Sequence, residues 1–214
     1  AYAGLLKFVL EDYGIPFFFD RKRSAAHHPL AELLRSVFEA LRGWRYEPLF
    51  RCLRTGFFPV LRDQADLLGN YVLEFGIRGA RRWLMQEDWQ WKRRGLEEDP
   101  DIISEREAER LSEINFIRRE VARPLQAFSE RIGAADSPKE FTLALYRFLQ
   151  DLEVTARLEE WGAQSQREGR LDLAAEHRQI WQNIMDLLEQ MVQVGGGESM
   201  TLREYETILA DGLD

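Results

Sequence analysis

The sequence is poor in cysteine and histidine, with one Cys and three His among 214 residues, and it has no long apolar run. A single cysteine excludes an internal disulfide framework and fits a reducing cytoplasm. No segment approaches the roughly 20 apolar residues of a membrane-spanning helix. The first residues lack an initiator Met, a basic leader and a cleavage site, so we expect no signal peptide. These absences predict a soluble intracellular chain.

Common catalytic motifs are missing as well. The phosphate-binding pattern G-x-x-x-x-G-K-[S/T] does not occur, and Gly195–Gly197 lacks the lysine and hydroxyl that would grip phosphate and magnesium, so we interpret this run as a linker. No G-x-S-x-G nucleophile motif is present. Carboxylates such as Glu105, Glu107 and Glu113 indicate the solvated face of a helix, whereas a nuclease site needs them inside a strand-rich core. We therefore predict no catalytic residue in this chain.

A zinc site could be built only from His27 or His28 with Cys52 or His177. Adjacent histidines point in divergent directions, and the usual ligand spacings are missing. Cys52 stands among apolar residues, which is typical of a small core side chain, and one cysteine cannot supply the four thiolates of an iron–sulfur cluster. We interpret His28 as a polar residue just before a helix that begins at Pro29, and we predict no metal in this chain.

Aromatic residues and an uneven charge are what the sequence does have. It contains 13 Phe, 6 Trp and 6 Tyr, and 45% of its residues are hydrophobic, so it can bury a substantial core. Residues 1–94 hold 16 Lys and Arg against 11 Asp and Glu, a net of +5, whereas residues 95–214 hold 13 against 26, a net of −13. The overall charge of −8 argues against a chain that wraps nucleic acid, but the basic first part leaves room for a local phosphate-binding surface.

One apolar run, Ile15–Phe19, stands between Gly14 and Asp20 and is followed by three cations. Its length and the proline at its second position favour a buried strand. A single strand cannot pair its own backbone groups, and few other strand candidates occur. We therefore expect its partner strands to lie outside these 214 residues, in a larger fold.

The remaining sequence shows helical periodicity, with apolar residues three or four apart. Ser104, Ser137 and Thr201 each precede a Glu by three residues, which is the pattern of a capping box, and Asp63 is a predicted N-cap. Pro124 falls inside one long run, where we expect a kink or a split. The predicted fold class is mainly α, a multi-helix bundle with at most one short N-terminal β element.

An irregular segment rich in Trp and Arg divides the chain. Its charge changes sign from Lys92-Arg93-Arg94 to Glu97-Glu98-Asp99, which favours a boundary there. The predicted units are an N-terminal region (1–79), an irregular connector (80–100), a helical bundle (101–194), and a linker with a last helix (195–214).

The interleaving of Lys and Arg with Trp is the one pattern in the sequence that indicates a function. Lys and Arg neutralise phosphates, and exposed Trp stacks on unpaired bases. The candidate DNA-binding residues are Arg21, Lys22, Arg23, Arg51, Arg54, Arg78, Arg81, Arg82, Lys92, Arg93 and Arg94. The alternative is that these cations only solvate the surface and that Trp83, Trp89 and Trp91 lie in the core, which is the favoured interpretation for any one Trp.

Three blocks of the sequence carry a resemblance to a known family. They are YGIPFFFDRKRSAAHHPLAELLRSVFEAL (13–41), WRYEPLFRCLRTGFFP (44–59) and NYVLEFGIRG (70–79). On these blocks the chain resembles AddB, also called RexB, the B subunit of bacterial ATP-dependent helicase/deoxyribonucleases. More distantly, the run at 14–16 with its following strand, loop and helix resembles the second RecA-like domain of UvrD-type helicases. The resemblance implies that the chain is the edge of that domain plus its helical insertion.

The resemblance also implies a role for a parent protein. Proteins of this kind pair with an AddA-like helicase/nuclease in a cytoplasmic heterodimer that unwinds and degrades double-stranded DNA ends for recombinational repair. ATP is used by the complex, while Mg²⁺ and a [4Fe–4S] cluster belong to a nuclease domain beyond this chain. The chain itself would be an inactive scaffold piece that contacts single- or double-stranded DNA and no membrane. A second hypothesis, supported by the acidic second half, is a helical protein–protein interaction module without nucleic-acid contact.

Overall fold

The computed structural model describes residues 27–91, 104–194 and 200–213. Over these residues the helices are α1 (Pro29–Gly43), α2 (Tyr46–Arg54), α3 (Arg62–Glu74), α4 (Ala80–Trp83), α5 (Glu105–Ala134), α6 (Pro138–Asp151), α7 (Val154–Arg167), α8 (Leu171–Val194) and α9 (Leu202–Gly212). No β-strand occurs in these ranges, and the predicted mainly α, multi-helix fold is confirmed. The predicted strand Ile15–Phe19 and the linker Gly195–Gly197 lie outside the described residues.

Three predicted helix starts occur where a polar side chain satisfies the first free backbone N–H groups. The Ser104 hydroxyl accepts from the N–H of Glu107, whose carboxylate accepts in turn from the N–H of Ser104. Thr201 and Glu204 form the same reciprocal capping box at α9. Ser137 caps α6 through its hydroxyl. These three helix starts could be predicted from the sequence because the residues of each cap lie within a single helical turn.

The start of α3 differs from the prediction that Asp63 is its N-cap. The helix begins at Arg62, two residues earlier than an N-cap at Asp63 implies, and Leu61 occupies the cap position. The N–H of Leu61 is satisfied by the side chain of Gln64 at 2.9 Å. Asp63 instead lies in the first turn, where its carboxylate accepts from the backbone N–H of Gln64 at 3.0 Å. The prediction is wrong because a carboxylate is also favourable inside the first turn.

Helix α5 runs unbroken over 30 residues with Pro124 inside it, so the predicted split does not occur. A proline removes one backbone hydrogen bond from a helix interior. Here Pro124 is buried together with Val121 and Leu125, on the face with which α5 packs against its neighbours. Burial of that apolar face holds the helix together where its own hydrogen bonding is weakest.

Phe128 of α5 joins its own helix to the next helix, α6, and to the distant α1. Its ring stacks on Phe148 of α6 with the centroids 4.7 Å apart, and it meets Phe38 of α1 edge-on at 5.5 Å. All three rings are buried. Stacked and edge-on aromatic pairs stabilise a core beyond the area that they bury.

Helix α9 belongs to the same core. Tyr205 is fully buried, and its ring centroid lies 6.4 Å from that of Phe38 and 5.4 Å from that of Phe141. Its hydroxyl shares a hydrogen bond of 3.0 Å with that of Thr142, and burial raises the pKa of Tyr205 to about 12. The last helix therefore shares a core with α1 and α6, while the predicted division into four units stays a prediction.

The helices pack mainly as sequence neighbours. Such pairs are α1 with α2, α2 with α3, α5 with α6, α6 with α7, α7 with α8, and α8 with α9. Three further pairs close the bundle: α3 with α5, α6 with α8, and α6 with α9. Within the described ranges, no helix combines the length and the apolar character that crossing a bilayer requires.

Replacing Thr201 by Ala should destabilise the chain by about 1 kcal/mol, because it removes the cap of α9. Urea unfolding measures this change. The matched control is Thr207→Ala on the same helix, where an exposed hydroxyl donates to the carbonyl of Arg203 one turn earlier. Because Ala favours the helix at an exposed interior position, the control should keep or slightly gain stability. An equal loss in both variants would contradict the capping role.

Candidate nucleic-acid interface

The eleven predicted DNA-binding cations fall into two sets. Outside the described residues lie Arg21, Lys22, Arg23, Lys92, Arg93 and Arg94. The structure places Arg51, Arg54, Arg78, Arg81 and Arg82. Contact of any of them with DNA stays a prediction. The five arginines of the second set differ in their exposure and in their ion pairing.

Arg51 is engaged within the fold. Its Nε donates to Glu32 at 2.8 Å and its Nη1 to Glu39 at 2.9 Å, and the bond to Glu32 raises the pKa of Arg51. Two carboxylates therefore compensate its charge. Arg54, near the end of the same helix, is exposed and has no ion-pair partner among the described residues.

The other exposed arginines of this set are close in the sequence to a point where two turns of the chain meet. The N–H of Gly79 donates to the carbonyl of Trp44 at 3.4 Å. Arg45 follows Trp44 in the sequence, and Arg78 precedes Gly79. The two arginines of α4 follow within three residues of Gly79. We call this set the basic surface: Arg45, Arg78, Arg81 and Arg82.

All four side chains of the basic surface are exposed, and none has an ion-pair partner in the part of the chain that the structure describes. Guanidinium groups of this kind form charge-assisted hydrogen bonds with phosphate. Sequence reasoning misses Arg45, because nothing in the local pattern shows that the turn between α1 and α2 meets Gly79.

Two residues in the left-handed region shape this meeting point. Trp44 has φ = +47° and Gly79 has φ = +83°. Glycine adopts this conformation freely, but a bulky residue there is strained. The indole of Trp44 is only 3% exposed and lies 6.3 Å from that of Trp83 between centroids, so its burial offsets the strain. The aromatic core thus holds the turn that carries Arg45.

The tryptophans behind the basic surface belong to the core. Trp83 and Trp89 are 1% and 2% exposed. Trp91 is partly buried, and its indole N–H donates to the carbonyl of Glu107 at 3.3 Å. The interpretation as core residues is confirmed for Trp83 and Trp89, which are too buried to stack on a base in this conformation.

Trp89 is packed from several sides. The ring of Tyr71 on α3 lies nearly parallel to it, with the centroids 5.3 Å apart, and Trp83 meets it edge-on at 5.3 Å. Its indole N–H donates to the carbonyl of Arg82 at 2.8 Å. The hydroxyl of Tyr71 donates to the carbonyl of Gln90 at 2.8 Å, and burial raises the pKa of Tyr71 to about 12. The loop at 84–91 is thereby fastened to α3 and α4.

Two buried polar side chains of α5, Asn115 and Arg118, hold the same loop; we call them the clamp. Asn115 accepts from the N–H of Trp89 at 2.8 Å and donates to its carbonyl at 3.0 Å. Arg118 donates to the carbonyls of Met85 and Glu87, each at 3.1 Å. Both clamp residues are 1% exposed.

Sequence reasoning misses the clamp as well. Asn115 and Arg118 immediately follow Ile114 and Ile117, which occupy apolar positions of the helical repeat. Polar side chains three residues apart beside such positions lie at the margin of the buried face, and this is the signal that could have found them.

Arg118 brings a positive charge into the core. Its guanidinium lies 5.2 Å from the ring centroid of Trp89, which is a cation–π distance, and 3.9 Å from the carboxylate of Asp88. Asp88 also pairs with Arg119 on the surface. Burial lowers the pKa of Arg118, yet a guanidinium stays protonated in proteins. The two loop carbonyls therefore act with Asp88 to compensate the charge.

His28 and His177 are brought together by the fold. The Nδ1 of His28 accepts from the N–H of Leu30 at 3.0 Å and caps α1, so its proton lies on Nε2 and is donated to Nδ1 of His177 at 3.0 Å. The two residues are 1% and 8% exposed. Burial, followed by the charge of His177, lowers the pKa of His28 to about 4, and burial lowers the pKa of His177. The pair is neutral at pH 7 and serves as a structural contact.

Cys52 is not part of that contact. Its thiol donates to the hydroxyl of Ser36 at 3.2 Å inside the core, and burial raises the pKa of Cys52 to about 12, so it stays a thiol. Within the described ranges, no group of three or more His, Cys, Asp or Glu side chains could hold a metal ion.

An open groove of about 330 Å³ lies beside Pro124 and Pro59. The charged side chains that line it are Glu120, Arg123, Arg131 and Asp151. They are paired with each other, Arg131 with Asp151 at 2.6 Å and Arg123 with Glu120 at 3.2 Å. The lining contains no Ser, Cys or His, so it offers no hydroxyl or thiol nucleophile beside an imidazole base.

No family model matches the chain. The B subunit of the ATP-dependent helicase/deoxyribonuclease of Desulforudis audaxviator is 44% identical over 221 residues, covering 100% of this chain and 19% of that protein. The proteins of the same name from Symbiobacterium thermophilum and Geobacillus kaustophilus are 41% and 39% identical, again over 100% of the chain and 19% of their length. The resemblance found in the three sequence blocks is therefore confirmed.

Lowering the pH from 7 to 5 should destabilise the chain through His28. Because its pKa is lower in the folded state than the ordinary 6.5, the unfolded chain binds the proton more readily, so stability is full above about pH 6.5 and falls as the pH drops towards 4. The expected loss at pH 5 is about 2 kcal/mol. His28→Asn keeps an N-cap but does not titrate, so its stability should depend less on pH. Urea unfolding at several pH values tests this, and parallel curves for the two proteins would contradict it.

Proposed function

Because the chain belongs to the AddB family, the B subunits of ATP-dependent helicase/deoxyribonucleases, we propose that it is a non-catalytic, DNA-contacting scaffold within a larger protein of that kind. The chain spans about a fifth of the length of the curated relatives that it matches. The activity, substrates and partners of a whole protein therefore enter as parts of this proposal.

The parent protein would act with a partner protein on DNA ends. By its family resemblance it pairs with an AddA-like helicase/nuclease in the bacterial cytoplasm, and the heterodimer unwinds and resects double-stranded ends for recombinational repair at the expense of ATP. Mg²⁺ and a [4Fe–4S] cluster would be held elsewhere in such a parent, since this chain has one cysteine and it is buried. No catalytic step is assigned to the residues described above.

The basic surface is the observation that carries the DNA-contacting role. Its four arginines are exposed, and each lies within three residues of Trp44 or Gly79, whose backbones are hydrogen-bonded to each other. Trp44 and Trp83, which neighbour these arginines in the sequence, are buried. Phosphate contacts of this kind supply most of the sequence-independent affinity for nucleic acid. The net charge of −13 over residues 95–214 opposes binding elsewhere, so a strand should be drawn to this side of the molecule.

Replacing Arg78, Arg81 and Arg82 together by Gln should weaken the binding of a fluorescein-labelled oligothymidylate, measured by fluorescence anisotropy. Each lost phosphate contact should lower the slope of log K against log salt by about 0.7. The matched control replaces Arg157, Arg167 and Arg178 by Gln on the α7–α8 pair, which changes the charge equally.

An equal weakening in both triple variants would show that only net charge matters and would contradict the proposed surface. Absence of binding by the unaltered chain at any salt concentration would instead favour a helical protein–protein interaction module. The exposed side chain of Phe116 on α5, at 58%, is a feature that such a module could use.

The purified chain should neither hydrolyse ATP nor cleave DNA in the presence of Mg²⁺. The physical reason is that the sequence lacks a P-loop and the described residues hold no carboxylate group fit for a metal. Phosphate release and gel analysis of labelled DNA measure the two activities. Cleavage that co-purifies with the chain and requires Mg²⁺ would reject the scaffold role.

A further inference from the structure

The loop at 84–91 has no regular secondary structure, and its backbone groups need partners where they are buried. The clamp supplies them. Asn115 engages both the N–H and the carbonyl of Trp89, and Arg118 engages the carbonyls of Met85 and Glu87. The path of the loop is thus set by two side chains of α5.

The clamp is connected to the basic surface through Trp89. The indole N–H of Trp89 donates to the carbonyl of Arg82 at 2.8 Å, and its ring packs edge-on against Trp83. Trp83 in turn packs against Trp44, the residue before Arg45. Packed aromatic rings and one hydrogen bond therefore join the clamp to α4, which carries Arg81 and Arg82, and to the turn that carries Arg45.

The buried guanidinium of Arg118 is an unusual group to find in a protein core. An apolar side chain at position 118 would avoid the desolvation of a charge, but it would leave the carbonyls of Met85 and Glu87 unpaired. Asn115 is also buried, and its amide additionally donates to the carbonyl of Leu111 at 3.0 Å, which fixes its orientation. Both side chains are better suited to holding a backbone conformation than to filling the core.

We propose that Asn115 and Arg118 are positioning residues for the basic surface, which hold its arginines in one arrangement before a nucleic-acid strand binds. This inference rests on the proposed function. Groups that are ordered in advance lose less conformational freedom on binding, so they bind more tightly with the same contacts.

The salt dependence of binding distinguishes this positioning role from the direct loss of a phosphate contact. Loosening the clamp leaves every arginine present, so the complex releases the same number of counterions and the salt slope is unchanged while the affinity falls. Removing arginines lowers the affinity and the slope together. A general loss of stability changes neither quantity at temperatures where the chain stays folded.

The test compares the unaltered 214-residue chain with Asn115→Leu, which removes the hydrogen bonds of the amide without adding charge. Arg118→Lys is the second variant, because it keeps the charge but a single ammonium cannot reproduce the planar fork that binds two carbonyls. Thr142→Val is the matched control, since it breaks a buried hydrogen bond between α6 and α9, away from the loop. Hydrogen exchange of residues 80–91 and oligothymidylate anisotropy over a series of salt concentrations are measured for each.

In Asn115→Leu we expect faster exchange confined to residues 80–91 and a Kd about five- to tenfold higher at an unchanged salt slope. Arg118→Lys should show the same pattern at smaller size, and Thr142→Val should show neither effect. Unchanged affinity in both clamp variants, or a slope that falls with the affinity, would overturn the positioning role. Absence of binding by the unaltered chain would overturn the proposed function itself.

Discussion

The hydrogen bonds from α5 to the loop at 84–91 are the interaction on which the rest of this structure depends. This loop has an irregular backbone, carries the buried indole of Trp89 and directly follows α4 with its two arginines. An irregular backbone would not hold a fixed position by itself. Asn115 and Arg118 give the backbone its partners, and the fixed backbone then places Trp89 against Tyr71 and Trp83. The hydrogen bonds of Asn115 and Arg118 therefore help to fix the position of the basic surface.

The local features of the fold could be predicted from the sequence, and the long-range ones could not. Capping boxes at Ser104 and Thr201 lie within one turn, so their residues are adjacent in the sequence. The contact of Asn115 with Trp89 spans 26 residues, and that of His28 with His177 spans 149. No periodicity encodes such pairings, because they depend on how whole helices pack.

The candidate site shows the same division. The concentration of cations around residues 78–94 is visible in the sequence, and the favoured interpretation of Trp83 and Trp89 as core residues is correct because large indoles gain most from burial. Arg45 joins the set only through the contact of Trp44 with Gly79. Arg51 differs from its neighbours because Glu32 and Glu39 on the preceding helix reach it. Exposure and pairing of a cation are tertiary properties.

An NMR titration of the arginine Nε–H resonances with oligothymidylate tests directly whether the basic surface contacts a nucleic-acid strand. We expect shifts for Arg45, Arg78, Arg81 and Arg82, and unchanged resonances for Arg157, Arg167 and Arg178 on the α7–α8 pair. Shifts confined to the second set, or shifts of equal size in both, would contradict this contact.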